Sequence, residues 1–446
     1  MLIEFRVSNY RSIAEEQIIS LIPASKQKEY TENIIEKGKY RALNALSLYG
    51  SNSGGKSNIL KSMSLLDKMV HMSARASSTT KLPHDPFLLR DGFREKPTTF
   101  EISFIVGEYR YRYGFEFNET QIEKEWLFRK NIGREVVVFE RERDTIDVSS
   151  GFNGTKKLVD AAIEATRDNA LFLSTCDMLN IEEAKDIINW FSCFSMIDGL
   201  NTDMEEIQTV ELWEKGDYKE KIREYLKSLN LGISNMDITT KKLEISDFPS
   251  NMPISMKEEL AKSLDGKKTY TVFAEHIIYD NNNLPTNRTQ TWKWEDRESS
   301  GAKKALQLSG PILWALANGG VLIIDEIEAK LHPIMTLNTI EAFLNKSSNP
   351  NNAQLIFATH DTNLLSYSKL RRDQICFAEK NKCESTEIYA LSDFIYFEEK
   401  NGELKSEKER PDSDKEKRYF EGRYGAIPVL GGFQTFLRNT QWQKEE

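Results

Sequence analysis

Residues 48–60, LYGSNSGGKSNIL, constrain the fold of this chain more than any other stretch. They contain a complete G-x-x-x-x-G-K-S pattern at residues 50–57. The preceding ALNALSLYG is apolar, as in a buried strand, and the following SNILKSMSLLDKMVHMS has apolar residues at the three- and four-residue steps typical of a helix. A strand, a glycine loop and a helix in this order predict a phosphate-binding loop in an α/β fold.

The loop pattern gives its residues distinct roles. Successive backbone N–H groups are expected to surround a phosphate, helped by the positive end of the helix dipole. The residues concerned are Gly50, Ser51, Asn52, Ser53, Gly54 and Gly55. Lys56 is expected to neutralise β- and γ-phosphate oxygens, and Ser57 to ligate Mg²⁺. The alternative is a purely structural glycine turn.

Two apolar runs near the other end of the chain finish in polar residues. VLIIDE reads as a strand of a parallel sheet covered on both faces. Its Asp325 is expected to hold Mg²⁺ through water, and Glu326 to polarise the attacking water. AQLIFATH, the second run, ends in His360, which we expect to sense or hold a γ-phosphate. A structural histidine is the alternative at that position.

The stretch RESSGAKKAL places three small residues, Ser299, Ser300 and Gly301, at the start of a predicted helix. The first N–H groups of a helix lack intrahelical partners, so such a start is a second anion site. A plain N-cap by one of the two serines is the alternative. Further along this helix, Pro311 is expected to kink or divide it.

The remaining stretches indicate a three-part organisation. LIEFRVSNY predicts a first strand, and TTFEISFIVGEYRYRYGFEFN alternates around GE as in an antiparallel hairpin. We interpret residues 1–145 as an N-terminal lobe, 146–268 as a mainly helical insertion and 269–446 as a C-terminal lobe. Residues 400–418 are polar and predict a mobile connector, before an apolar tail that packs back.

Composition excludes several classes of protein. The net charge of −9 argues against a chain that coats nucleic acid along its whole surface, although it leaves a local basic groove open. The four cysteines form no CxxC pair, which is typical of free thiols in a reducing cytosol. The N-terminus lacks a signal-peptide layout, and apolar runs are too short for a membrane span. The expected location is therefore cytoplasmic.

The sequence resembles the ABC-type ATPase heads of the RecF and SMC group. Within that group it is most similar to bacterial AAA-family ATPases described as RloA-like or abortive-infection (AbiLii-like). The stretches that carry the resemblance are GSNSGGKSN, ESSGAKKALQLSGPIL, VLIIDEIEAKLHP, FATHDTNLL and RYFEGRYGAIPVLGGF. The implied fold is α/β: a P-loop NTPase with a mixed or parallel core sheet and an antiparallel β subdomain, plus the helical insertion.

The resemblance also implies roles for individual residues. Ser299, Ser300 and Gly301 would be the signature motif, which in this group contacts ATP bound to a second subunit. Asp325 and Glu326 would be the Walker B pair, and His360 the switch histidine. Asn52 and Asn58 match the sequence of the group's loop and would bind the nucleotide with it, and Arg11 would reach the nucleotide phosphates. His332 stands where transporters and SMC heads usually have aspartate.

By resemblance, the expected function is an ATPase that uses ATP and Mg²⁺ and dimerises through the signature motif. The expected role is that of a sensor, regulator or scaffold in anti-phage defence, with a separately encoded nuclease or toxin as effector. The alternative is a RecF-like DNA-repair protein that binds DNA when ATP is bound. The basic clusters KYR, YRYRY and RRD would serve that alternative. Binding to a membrane is not expected.

Overall fold

The computed structural model describes residues 1–199, 203–245, 252–257, 268–400, 403–410, 412–428 and 432. In these ranges the strands are β1 Leu2–Ser8, β2 Gln17–Ser20, β3 Ile34–Lys37, β4 Tyr40–Leu43, β5 Ala45–Tyr49, β6 Thr98–Val106, β7 Tyr109–Phe117, β8 Ile122–Lys130, β9 Val136–Glu142, β10 Thr145–Val148, β11 Phe194–Asp198, β12 Asn235–Lys242, β13 Lys268–Tyr279, β14 Pro285–Lys293, β15 Val321–Asp325, β16 Gln354–Ala358, β17 Ile375–Lys380, β18 Thr386–Ala390, β19 Ile395–Lys400 and β20 Glu403–Lys408. The α-helices are α1 Lys56–Met72, α2 Lys156–Ala165, α3 Phe172–Met178, α4 Glu182–Phe191, α5 Asp203–Glu214, α6 Lys219–Ser228, α7 Trp294–Arg297, α8 Ser300–Asn318, α9 Pro333–Leu344, α10 Asn363–Tyr367 and α11 Lys415–Phe420.

A mixed sheet of six described strands forms the centre of the molecule, in the order β11-β15-β16-β5-β17-β18. Its first five strands run parallel, and β18 is antiparallel to β17. Alternate residues of β15 enter two different hydrophobic clusters: Val321 and Ile323 face one, and Leu322 and Ile324 face the other. The apolar runs predicted as doubly covered strands are therefore confirmed. Parallel strands align their carboxyl ends, so the polar residues after β5, β15 and β16 meet at one edge.

An antiparallel sheet, ordered β10-β9-β8-β7-β6-β1-β2 in the described residues, packs with α1 to α4 into the first of these clusters. It contains the predicted first strand and the predicted hairpin, whose β6 and β7 pair from Thr98↔Phe117 to Val106↔Tyr109. The predicted fold class, an α/β P-loop NTPase with an antiparallel subdomain, is confirmed.

Residues 146–268 are less purely helical than expected. Helices α2 to α6 lie in this range, but so does β11, which pairs with β15 over Phe194↔Val321 to Asp198↔Asp325 in the core sheet. The range also contains β12, which forms a three-stranded sheet with β13 and β14. Periodicity favoured helices here because β11 is short and follows α4 directly. The division at residues 145 and 268 stays a prediction.

Helix α8 runs without interruption through Pro311, so the expected division of this helix is wrong. Proline lacks the N–H that would bond to the carbonyl four residues earlier. That carbonyl, Gln307 O, is met instead by the hydroxyl of Thr209 from α5 at 3.2 Å. The same hydroxyl accepts the Gly310 N–H at 3.1 Å. A side chain from a neighbouring helix thus provides the hydrogen bond to the backbone carbonyl that Pro311 cannot make.

The C-terminal part differs from the expected connector. Within 400–418, β20 pairs with β19 as an antiparallel hairpin and α11 begins at Lys415. Tyr419, Tyr424 and Ala426 are buried in the second cluster, which confirms that the start of the tail packs back. Most of the predicted tail beyond residue 428 lies outside the described residues. None of the described helices combines the length and apolarity needed to cross a membrane.

Candidate nucleotide site

The loop between β5 and α1 has little room for any side chain at three of its glycines. A Cβ on Gly50 would lie 2.2 Å from Ala378 O, and one on Gly54 would lie 2.6 Å from the same atom. Gly55 caps α1 with φ 103°, a left-handed conformation that favours glycine. The glycines therefore allow the loop to pack closely against β17 at Ala378, and they allow α1 to begin directly at Lys56.

Lys56 turns back over this loop. Its Nζ donates to Gly50 O at 2.8 Å and to Ser51 O at 3.1 Å, and the residue is 5% exposed. Burial lowers the pKa of Lys56, while the nearby carboxylates of Asp325 and the acidic residues after it act in the opposite direction. The ammonium group is thus held at the mouth of the loop and faces the acidic end of β15.

A network of hydrogen-bonded side chains links the loop to the N-terminal segment and to β18. The Thr386 hydroxyl donates to Gly54 O at 3.1 Å and lies 2.9 Å from the Ser12 hydroxyl. Asn58 Nδ2 donates to the same Ser12 hydroxyl at 2.8 Å. The Asn58 side chain is therefore bound to the N-terminal segment, and its expected contact with the nucleotide stays a prediction. The sequence pattern gave no signal for Thr386 or Ser12.

Asp325 ends β15 and is 7% exposed. Among the described residues, its Oδ1 has no hydrogen-bond partner. A buried carboxylate oxygen without a partner is costly unless another group completes it. A hard divalent cation such as Mg²⁺ prefers oxygen ligands, so the unpartnered oxygen of Asp325 fits a Mg²⁺ ligand. The predicted role of Ser57 as a second ligand stays a prediction.

Glu326 follows with φ 50°, so the chain turns sharply as β15 ends. Partial burial raises the pKa of Glu326, and the neighbouring carboxylates of Asp325, Glu328 and Asp198 raise it further. Asp198 is paired in register with Asp325 because β11 lies beside β15. A raised pKa brings a carboxylate closer to the range in which it can exchange a proton at neutral pH.

The carbonyl oxygens of Asp325 and Glu326 also enclose Gly199. A Cβ on Gly199 would lie 2.3 Å from each of these two oxygens. The Gly199 N–H donates to Asp325 O at 2.8 Å, and the Gly199 carbonyl accepts from Lys304 Nζ at 2.8 Å. Lys304 lies on α8 and is 1% exposed, so a buried lysine connects α8 to the residue that follows β11.

The predicted signature residues begin α8. Ser299 is its N-cap, and its hydroxyl accepts from Ala302 N at 3.1 Å, so the N-cap alternative describes this residue correctly. Gly301 packs against the loop after β15, since a Cβ there would lie 3.2 Å from Lys330 O. Ser300 occupies the first turn. Helix capping and anion binding use the same helix end, and the expected anion-binding role of these residues stays a prediction.

His360 is exposed directly after β16, and desolvation together with the charge of Lys56 lowers its pKa. Its backbone N–H donates to Glu328 Oε1 at 2.7 Å. The sequence motifs did not predict this contact of Glu328, although Glu328 follows Glu326 by only two residues.

The other predicted positions have different surroundings. Arg11 is bonded to Asp85, with Nε 2.8 Å from Oδ2, and the residue has φ 50°. The predicted contact of Arg11 with phosphate therefore stays a prediction. His332 is the N-cap of α9, and its Nδ1 accepts from Ile334 N at 3.3 Å.

The solved structures to which this chain is similar share little sequence with it. The SMC head domain from Thermotoga maritima is 12% identical, with a TM-score of 0.39, over 87% of this chain and 98% of that one. The recombination mediator protein RecF with ATPrS is 16% identical, with a TM-score of 0.31, over 87% and 98%. The Smc head domain derived from Pyrococcus yayanosii is 10% identical, with a TM-score of 0.34, over 88% and 97%. No curated protein matches this sequence.

A family model supplies the decisive comparison. The model described as "AAA domain, putative AbiEii toxin, Type IV TA system" matches residues 46–159 and 221–366. These two segments make up more than half of the chain and include the loop, the start of α8, the end of β15 at Asp325 and Glu326, and His360. The resemblance to P-loop ATPases is thereby confirmed. The chain belongs to this AAA-domain family.

Proposed function

We propose that this protein hydrolyses ATP at the β5–α1 loop and that two copies close on two ATP molecules. The observation that carries the proposal is the shared sheet edge where a buried Lys56 faces Asp325, a buried carboxylate with an unpaired oxygen, and Glu326. An ammonium group, a metal ligand and a carboxylate with a raised pKa are the groups that phosphoryl transfer to water requires.

In the proposed reaction, a water oxygen attacks the γ-phosphorus in line and the bond to the β–γ bridging oxygen breaks. Glu326 orients the water and accepts its proton, and ADP and inorganic phosphate leave. Lys56 exchanges its contacts with Gly50 O and Ser51 O for phosphate oxygens, while loop N–H groups hold the β-phosphate. When bound, Mg²⁺ supplies charge neutralisation at the phosphates, and Ser57 and Asp325 would hold it.

Two substitutions separate binding from turnover. Lys56→Ala is expected to abolish ATP binding, and Glu326→Gln to retain ATP while slowing hydrolysis about 10²- to 10⁴-fold, the usual contribution of a catalytic base. Equilibrium binding of labelled ATP and single-turnover phosphate release measure the two effects. Equal phosphate release by both variants and the wild type would show that this loop is not the hydrolytic site.

Dimerisation would bring the N-terminus of α8 in one copy to the nucleotide of the other. Light scattering of Glu326→Gln with and without ATP tests this, with a doubling of mass as the expected result. Gly301→Asp, which places a negative charge at the helix start, is expected to keep ATP bound but remain monomeric. A wild-type-like dimer of Gly301→Asp would exclude α8 from the interface.

We further propose that ATP closure serves an anti-phage system with a separate effector nuclease or toxin. The description of the matched family, with its toxin and TA-system terms, supports this role. Cells carrying this gene with its genomic neighbours, challenged with phage, test it. Protection by the wild type and its loss in Lys56→Ala is the expected result, and equal phage yield in both would contradict the role.

The DNA-binding alternative lacks a supporting observation. Arg112 pairs with Glu101 at 2.8 Å and Glu135 at 2.9 Å, and Arg371 pairs with Asp373 at 2.8 Å. Two of the basic clusters are thus already partnered by carboxylates. ATP-dependent DNA binding whose affinity falls steeply with salt would nevertheless establish the alternative.

A further inference from the structure

Glu328 lies in the loop after β15 and has no role in the mechanism above. We propose that Glu328 is a positioning residue that fastens the end of β16, and with it His360, to the loop that carries Glu326. This inference rests on the proposed function, because it concerns the alignment of the same hydrolytic site. Its structural part is testable without any turnover.

The Glu328 carboxylate is fully engaged with the end of β16. Its Oε2 accepts from the Thr359 hydroxyl and its Oε1 from the His360 backbone N–H, both at 2.7 Å. The Thr359 hydroxyl in turn accepts the Asp361 N–H at 3.0 Å, and Thr359 is completely buried. Hydrogen bonds to an ionised carboxylate are about twice as strong as neutral ones, so this short network orders three consecutive residues.

The junction needs such a fastening because the regular ladder ends just before it. Strands β15 and β16 are paired as far as Ile324↔Phe357, and Ile327 N then donates to Ala358 O at 3.1 Å. Between these contacts Glu326 occupies the left-handed region at φ 50°. A non-glycine residue persists there only where its surroundings fix it. The Glu328 bonds continue the attachment beyond the ladder and hold that turn in place.

The carboxylate also acts on His360 electrostatically. Desolvation and the charge of Lys56 lower the pKa of His360, while Glu328 and Asp325 raise it. Replacing Glu328 with the neutral, equally sized glutamine removes one of the two opposing charges. The pKa of His360 is then expected to fall further, a change that a merely space-filling residue would not produce.

The test uses the full chain with Glu328→Gln, Glu328→Ala and the matched control Glu164→Gln, an exposed carboxylate on α2. The chain has five histidines, so a labelled-histidine NMR titration is tractable, with His360→Gln to assign the signal. We expect a lower His360 pKa in Glu328→Gln and no change in the control. ATP affinity should stay within twofold of the wild type, and single-turnover hydrolysis should fall tenfold to a hundredfold, as for a misplacement of about 1 Å.

Each outcome decides one point. An unchanged His360 titration in Glu328→Gln would overturn the contact, and a changed titration with unchanged hydrolysis would overturn the positioning role. Should Glu328→Ala fail to fold, the isosteric glutamine variant still gives both measurements. Absence of hydrolysis in the wild type would refute the proposed function, and the titration would still report on the Glu328–His360 contact.

Discussion

Substituting Gly199 by alanine tests whether β11 belongs to the core sheet. A methyl group there would lie 2.3 Å from the carbonyl oxygens of both Asp325 and Glu326, about 1 Å closer than ordinary contact. Both oxygens are backbone atoms at the end of a buried strand, so neither can rotate away. Overpacking of this kind costs about 1–3 kcal/mol, and a Walker B shift of about 1 Å would slow hydrolysis as much as a hundredfold.

Urea unfolding of Gly199→Ala gives the free energy of unfolding, and single-turnover hydrolysis gives the rate. The matched control is Gly151→Ala, where the nearest atom to a new Cβ is Arg129 Nη2 at 3.5 Å, an ordinary contact. We expect the control to stay within about 0.5 kcal/mol of the wild type. If Gly199→Ala matched the control in both measurements, the close packing of β11 on the Walker B backbone would be refuted.

Three further predictions concern the same site. Thr386→Val removes the hydroxyl that supports Gly54 O and should weaken ATP binding by about 0.5–1.5 kcal/mol, or up to about tenfold, in calorimetry. Lys304→Met leaves the buried carbonyl of Gly199 without its cation and should lower the free energy of unfolding by about 1–3 kcal/mol in urea. Single-turnover hydrolysis measured against pH should lose activity on the acid side at a pH above 4.5, the ordinary pKa of glutamate. The raised pKa of Glu326 means that its carboxylate is protonated already at higher pH, and the protonated group cannot act as a base.

The parts of the site that could be predicted from the sequence are those formed by short motifs of consecutive residues. The glycine loop, the apolar strand ending in Asp325 and the strand before His360 each follow from local pattern, and the parallel sheet brings them together. Local periodicity also placed α1 and the β6–β7 hairpin correctly.

Contacts between segments that are distant in the sequence could not be predicted from these local motifs. The Thr386 hydroxyl donates to Gly54 O, more than 330 residues away in the sequence. The Thr209 hydroxyl, on another helix, donates to the carbonyl that Pro311 leaves without a donor. Neither residue stands out in a pattern, because a threonine gains its role only from the partner that folding brings to it. The edge strand β11 was missed for the same reason, since its five residues gain strand geometry from pairing with β15.

The position of β11 has a mechanical consequence. Among the described strands it is the end member of the core sheet and is held by a single ladder, to β15. The chain leaves it at Gly199 and re-enters the sheet at Val321 after passing through the three-stranded sheet and α8. Tension along that excursion would act on the Asp198 end of β11 and on the Val321 end of β15, which are opposite ends of their parallel ladder. It would therefore load the bonds of the ladder together, in shear, rather than peel them one at a time. One end of the loaded ladder is the Asp198↔Asp325 pair, so a pull on the excursion would be transmitted to the proposed hydrolytic site.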